Sequence, residues 1–91
     1  MISLITISYN SEATIQKTLS SVKNQSFKNI EYLVIDGAST DRTIEICNKN
    51  KHITKIQSEP DLGIYEAFNK GLKLAKGDII GFLNSDDIYY N

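Results

Sequence analysis

Short runs of apolar, largely β-branched residues alternate along this chain with stretches whose apolar residues recur at helical spacing. That alternation restricts the fold more than any other feature. Ile2 to Ser8 and Glu31 to Ile35 read as strands, Asp78 to Leu83 as another, and Ile53 to Gln57 as a weaker one. Between the first two, Ile15, Leu19 and Val22 recur at i, i+4 and i+7 and share one helical face. Ile44 and Cys47 stand one turn apart in a second helix, and Ile64, Phe68, Leu72 and Ala75 form the stripe of a third. Asn10 or Ser11 is placed to cap the first helix. Ser39 or Thr40 is placed to cap the second, with Asp41 favoured at its positive end. Gly77 sits where the third helix should stop. Asp36-Gly37 has hairpin chemistry, but a helical stretch follows, so no hairpin is expected there.

The predicted order is βαβαβαβ. Helical crossovers between apolar strands imply a parallel sheet covered on both faces, in a three-layer α/β sandwich of Rossmann-like type with strand order 3-2-1-4. Such sheets bind ligands outside the carboxyl ends of their strands, where strand order reverses. The polar residues following each strand should therefore meet in one crevice: Ser8 to Asn10, Asp36 to Asp41, Ser58 to Asp61 and Asn84 to Asp87.

Composition narrows what such a crevice would hold. At 91 residues, 41% hydrophobic and 23% charged, the chain is globular and makes one small domain or part of a larger one. A net charge of −1 gives no basic excess for nucleic acid and no charge run for a membrane surface. Cys47 is the one cysteine, which rules out an internal disulfide and fits a reducing cytosol. The opening residues lack a basic leader and a long apolar core, so no signal peptide is predicted. No segment reaches the roughly 18 apolar residues of a membrane span.

Three of the four strand-end clusters contain acids and none contains lysine. Neither G-x-G-x-x-G nor G-x-x-x-x-G-K-[ST] is present, so phosphates are not expected in a glycine-rich or P-loop cradle. Acids hold phosphate only through a divalent cation, and oxygen ligands suit Mg²⁺ or Mn²⁺.

Thr6 to Asn10, Val34 to Thr43, Glu59 to Gly71, Ala75 to Asp78 and Asn84 to Asp87 together resemble the N-terminal nucleotide-sugar-binding portion of a family 2 glycosyltransferase with the GT-A fold. Thr6-Ile7-Ser8-Tyr9-Asn10 is similar to the family's first-strand motif, and Val34 to Thr43 (VIDGASTDRT) resembles its V-D-D-G-S-x-D-x-T motif. Asp86 and Asp87, within LNSDD, match the end of the D-x-D metal motif. Glu59 to Gly71 and Ala75 to Asp78 are similar to segments of bacterial polysaccharide-type members. The resemblance covers essentially the whole chain. Three positions depart from it: Gly37 replaces the second acid of D-D-G-S, Ala38 replaces its glycine, and Asn84 replaces the first acid of D-x-D.

The resemblance implies roles. Asp86 would ligate the cation that bridges to the donor diphosphate. Asp87, which points the other way in extended backbone, would be a second ligand or a loop-fixing group. Asp36 would accept a hydrogen bond from the base, a uracil N3–H suiting an acceptor-only carboxylate. Asp61, Asn84 and Ser85 would border the nucleotide. Thr6 and Ser8 would offer backbone and hydroxyl contacts. Tyr9 would either stack on the base or pack at the rim. Asp41 would contact the nucleotide or serve only the helix dipole. The bland readings are a solvated loop for His52, core for Cys47, and a solvated face for Lys70, Lys73 and Lys76.

The expected function is donor binding in an enzyme that moves a sugar from a UDP-sugar to a glycan or lipid-linked acceptor, with inversion. The rival is a non-catalytic nucleotide- or metal-binding module. A receiver-type domain is disfavoured, because this chain has no acidic pair after its first strand. No residue up to Asn91 matches the family's catalytic base, so that base and the acceptor site are expected downstream. The protein is expected in the cytoplasm, or peripheral at the inner face of the membrane. Self-association through an exposed fourth strand is also expected.

Overall fold

The computed structural model describes residues 1–24, 29–61 and 63–84. Their element order is β1 (Ile2–Ser8), α1 (Ile15–Lys23), β2 (Ile30–Asp36), α2 (Thr43–Asn48), β3 (Lys55–Ser58), α3 (Ile64–Leu74) and β4 (Ile79–Asn84). The four strands form one parallel sheet in the order β3-β2-β1-β4, as the alternation predicts. Among the described residues no helix is long and apolar enough to cross a membrane.

Strand periodicity divides the core into two layers. Leu4, Tyr32, Val34 and Leu83 project from one face of the sheet onto Ile15, Leu19 and Val22 of α1 and Cys47 of α2. Ile5, Leu33 and Ile35 project from the other face onto Ala67 of α3. Each fully buried aliphatic side chain contributes about 1.5–3 kcal/mol, so β1, β2 and α1 carry most of the stability.

Helix α3 turns a different face to the sheet from the one its large apolar residues suggest. Ala67 and Gly71 are buried, whereas Ile64 and Leu72 are exposed and Phe68 is half-buried against the edge of the Phe82 ring. The cause is close approach. A Cβ on Gly71 would stand 2.9 Å from Ile5, so only small residues fit between helix and strand. Strand β4 is also more open than its apolar sequence implies. Among its residues only Leu83 is buried, and Ile79, Ile80 and Phe82 are exposed at the sheet edge.

Caps and loops differ from the predicted ones. Neither Asn10 nor Ser11 caps α1 through its side chain. Thr14 takes the cap position, and the Ser11 carbonyl accepts the first N–H groups. Arg42 rather than Ser39 or Thr40 precedes α2. Gly77 does not end α3; its N–H donates to Ser3 Oγ at 2.7 Å, where a Cβ would collide with that oxygen. Ser3 Oγ in turn donates to the buried Glu31 carboxylate at 2.6 Å, which also receives the Lys76 N–H. These donors, Ser3 first, hold the Glu31 carboxyl below its ordinary value. His52 is not a solvated loop residue. It is half-buried, stacks on Tyr32 and meets the Leu19 carbonyl at 2.9 Å through Nε2. Lys70 is largely covered and ties α3 to the preceding loop through Glu59 at 3.1 Å and the Pro60 carbonyl at 3.1 Å.

Candidate functional site

Strand order reverses beside β1: the chain runs from β1 outward through β2 to β3, then crosses back to β4 on the other side. A cavity of about 600 Å³ opens there, at the carboxyl ends of β1 and β4. Ile7 to Ser11 form one wall, Asn84 closes the end of β4, and Asp61, Gly63 and Ile64 at the entry to α3 form the opposite wall.

Three loops are fastened into this rim by side chains. The Gly37 N–H donates to the Ser8 carbonyl and the Glu59 N–H to the Asp36 carbonyl, both at 3.0 Å, extending the ladder one step past the strands. Asn10 Oδ1 accepts the Thr40 N–H at 2.8 Å, and the Asn10 N–H donates to Ser39 Oγ at 2.8 Å. The Ser11 N–H donates to Thr43 Oγ1 at 2.7 Å. Asn10 takes a positive φ of 47°, which asparagine tolerates. Ala38 at φ 63° does not enjoy that tolerance and stands where the resembled motif has glycine.

The predicted site residues separate into two groups. Tyr9, Asp61 and Asn84 line the cavity, and Tyr9 is 62% exposed at its mouth. Ser8 lines it as well, with its hydroxyl committed to Asp36. Thr6 does not reach the cavity; its buried hydroxyl pairs with Tyr32 Oη at 2.7 Å.

Asp36 is fully buried and faces the α1 and α2 layer, with Tyr32 and Val34. Its Oδ1 accepts the Ser8 and Ser39 hydroxyls, each at 2.6 Å. Its Oδ2 accepts the Ser39 N–H and the Ser58 hydroxyl, each at 2.8 Å. A carboxylate has about four lone-pair positions, and four donors fill them. With these donors Asp36 ties the carboxyl ends of β1 and β3 to the loop after β2 from below.

Asp41 has a similar job. It accepts from Thr43 Oγ1 at 2.6 Å, the Thr43 N–H at 3.0 Å and the Glu12 N–H at 3.2 Å. Burial acts to raise the Asp41 carboxyl, but these donors outweigh it and hold the group below its ordinary value. Beneath the same loops, burial and the nearby Asp36 carboxylate push the Cys47 thiol up to about 11, so it behaves as core.

Ser85, Asp86 and Asp87 lie outside the described residues. Among the described residues no three acidic, histidine or cysteine side chains converge as a cation site. Among the described residues the cavity lining offers hydroxyl, amide and carboxylate oxygens and neither thiolate nor imidazole, the donor types that hard cations take. Nor does any lysine or arginine line it among those residues. Sequence reasoning missed the α3 wall. Its signal was Gly63, whose φ of 129° turns the loop into the helix beside the cavity.

Residues 3–91 match the model of the glycosyl transferase family 2. Over 98% of its length the chain is 42% identical to the UDP-Glc:alpha-D-GlcNAc-diphosphoundecaprenol beta-1,3-glucosyltransferase WfaP of Escherichia coli, of which the alignment covers 36%. The crystal structure of S. aureus TarS 1-349 in complex with UDP-GlcNAc superimposes with a TM-score of 0.89 at 32% identity, covering 96% of this chain and 27% of TarS. Glucosyl-3-phosphoglycerate synthase from Mycobacterium tuberculosis, in complex with Mn²⁺, UDP and glucosyl-3-phosphoglycerate, gives 0.81 at 28% identity, covering 93% of this chain and 33% of that one.

The fold, with its four parallel strands in the order 3-2-1-4, is that of the GT-A glycosyltransferase structures it superimposes on. This chain belongs to glycosyl transferase family 2. It spans about a third of the length of the curated relatives it matches.

Proposed function

We propose that the chain is the donor-binding part of a glycosyltransferase that moves a hexosyl or N-acetylhexosaminyl group from a UDP-sugar to a hydroxyl of a glycan or lipid-linked acceptor. The observation that carries this reading is the cavity at the strand-order reversal, lined by Tyr9, Asp61 and Asn84 and, among the described residues, by no cation. A nucleoside diphosphate is strongly anionic. A lining without lysine or arginine accommodates it when a divalent cation, Mn²⁺ or Mg²⁺, neutralises the phosphates.

Asp86, two residues beyond Asn84, would hold that cation, with Asp87 as its neighbour. When bound, the cation stabilises charge on the departing diphosphate. The protein's own residues orient the donor: the tyrosine ring of Tyr9 offers an aromatic face at the mouth, and the loops pinned by Asp36 and Asn10 keep the rim rigid. Inversion follows from a single displacement. The acceptor oxygen bonds to the anomeric carbon as the bond to the diphosphate breaks, and a base takes the acceptor proton. In this reading that base and the acceptor pocket belong to the rest of the relatives' length, and these 91 residues alone would bind donor without transferring sugar. Exposed Ile80 and Phe82 at the sheet edge are a surface for the rest of such a protein or for a second copy. A lipid-linked acceptor would place the protein in the cytoplasm at the inner face of the membrane.

Calorimetric titration with UDP, with and without Mn²⁺, tests the reading. Metal-dependent binding that disappears in Asp86→Ala is the expected result. Absence of UDP binding under both conditions, or sugar turnover by the 91 residues alone, would overturn it.

A further inference from the structure

One carboxylate lines the cavity among the described residues, that of Asp61. Its position depends on what is missing opposite. Gly37 follows the fully buried Asp36 and, by strand alternation, faces the other way, toward the α3 side of the sheet. The resembled second-strand motif carries an acid at that position. Here the space is taken by Asp61: Oδ2 lies 3.0 Å from where a Cβ on Gly37 would stand, and Oδ1 lies 3.4 Å away. Gly37 has no positive φ that would demand glycine. A Cβ there would press on the Asp61 carboxylate, and a longer side chain would compete with it for the same space.

Asp61 is also held in a way that Asp36 and Asp41 are not. Oδ1 accepts the Gly63 N–H at 3.1 Å, fixing the carboxylate at the entry of α3. Oδ2, the oxygen nearest the Gly37 position, accepts no hydrogen bond among the described residues. The two other predicted acids of this rim are consumed by donors from within the protein, Asp36 by four and Asp41 by three.

We infer that Asp61 is the specificity-determining residue for the base of the bound nucleotide, accepting the imide N–H of uracil through Oδ2 in the place vacated at Gly37. The inference rests on the nucleotide-sugar reading above and deepens it. With Oδ1 engaged by Gly63, Oδ2 is the oxygen left without a donor among the described residues, and it can accept the single ring N–H of uracil. Cytosine presents a lone pair at the same ring position and would face the carboxylate with repulsion. Guanine presents two adjacent N–H groups, which pair side by side with a carboxylate only when both oxygens are open, and Gly63 holds one of them.

The test is UDP, CDP and GDP affinity, measured with Mn²⁺ on the full-length protein and on Asp61→Asn, Asp61→Ala and the double variant Gly37→Asp/Asp61→Ala. Asp61→Ala should weaken UDP by about 10- to 100-fold, the range for losing a hydrogen bond to a charged group. Asp61→Asn keeps the acceptor for Gly63 and the shape. It should lower UDP affinity by roughly 10-fold while narrowing the preference for UDP over CDP, because its amide can donate to cytosine. Recovery of UDP affinity in the double variant would show the two positions exchanging one role. UDP affinity within twofold of the parent in both single variants would overturn the inference. An equal loss for all three nucleotides would overturn it too, since that marks a structural part in the rim. Failure of the parent to bind any of the three would instead remove the nucleotide reading itself.

Discussion

Replacing Asp36 separates a residue that builds the site from one that touches the ligand. Its carboxylate is fully buried and accepts four hydrogen bonds, from the Ser8, Ser39 and Ser58 hydroxyls and the Ser39 N–H. In Asp36→Ala all four donors lose their acceptor. The three hydroxyls can turn toward other acceptors, but the Ser39 N–H cannot turn. Because the four bonds share one desolvated charge they do not add, and the loss is about 3–5 kcal/mol, as for breaking a buried charged network. In Asp36→Asn, an amide oxygen in the place of Oδ2 still accepts from Ser39 N–H and Ser58. The new NH₂ meets the Ser8 and Ser39 hydroxyls, which can rotate to accept. Only charge assistance is lost, about 1–2 kcal/mol. For a domain of this size, with a urea m-value of about 1 kcal/mol per molar, the Asn midpoint falls by roughly 1–2 M. Urea unfolding followed by far-UV circular dichroism, with and without UDP, measures both variants. Asp36→Ala within about 0.5 kcal/mol of the parent, together with complete loss of UDP binding, would refute the assignment, because the carboxylate would then meet ligand rather than hold loops.

Two further outcomes are expected. Ala38→Gly should stabilise the protein by about 0.5–1 kcal/mol, since relief of the left-handed backbone at φ 63° exceeds the added chain entropy of glycine. This reads as a rise of several degrees in Tm, and a fall would show that the alanine methyl packs. For Glu31, the folded carboxyl titrates below its ordinary 4.5, so its contribution is complete above that pH and is lost as pH falls through the lower folded value. Glu31→Gln should therefore be less stable than the parent at pH 7, and the difference should shrink as pH falls below 4.5; a difference independent of pH would contradict this.

The fold was almost wholly legible in the sequence. Periods of 2 and 3.6 are local, and in Ile15, Leu19 and Val22, or Leu4 and Ile5, they report burial directly. Helical crossovers between apolar strands then leave few parallel topologies, and the observed order is among them. Helix α3 shows where the pattern misleads. Its large apolar residues define a stripe, but the sheet approaches so closely that Ala67 and Gly71 take the buried line, and size rather than hydropathy decides the contact face.

For the site, the sequence by itself determined which loops meet, because every parallel strand delivers its carboxyl end to the same edge. Tyr9, Asp61 and Asn84 were found in that way and do line the cavity. What only the tertiary structure decided is the division of labour among the acids. Asp36 ends β2 and Asp61 follows β3, yet one sits beneath the rim with four donors and the other in the cavity wall beside Gly37. A carboxylate's role depends on how many donors reach it, and those donors come from Ser8, Ser39 and Ser58, on three different segments that only folding brings together.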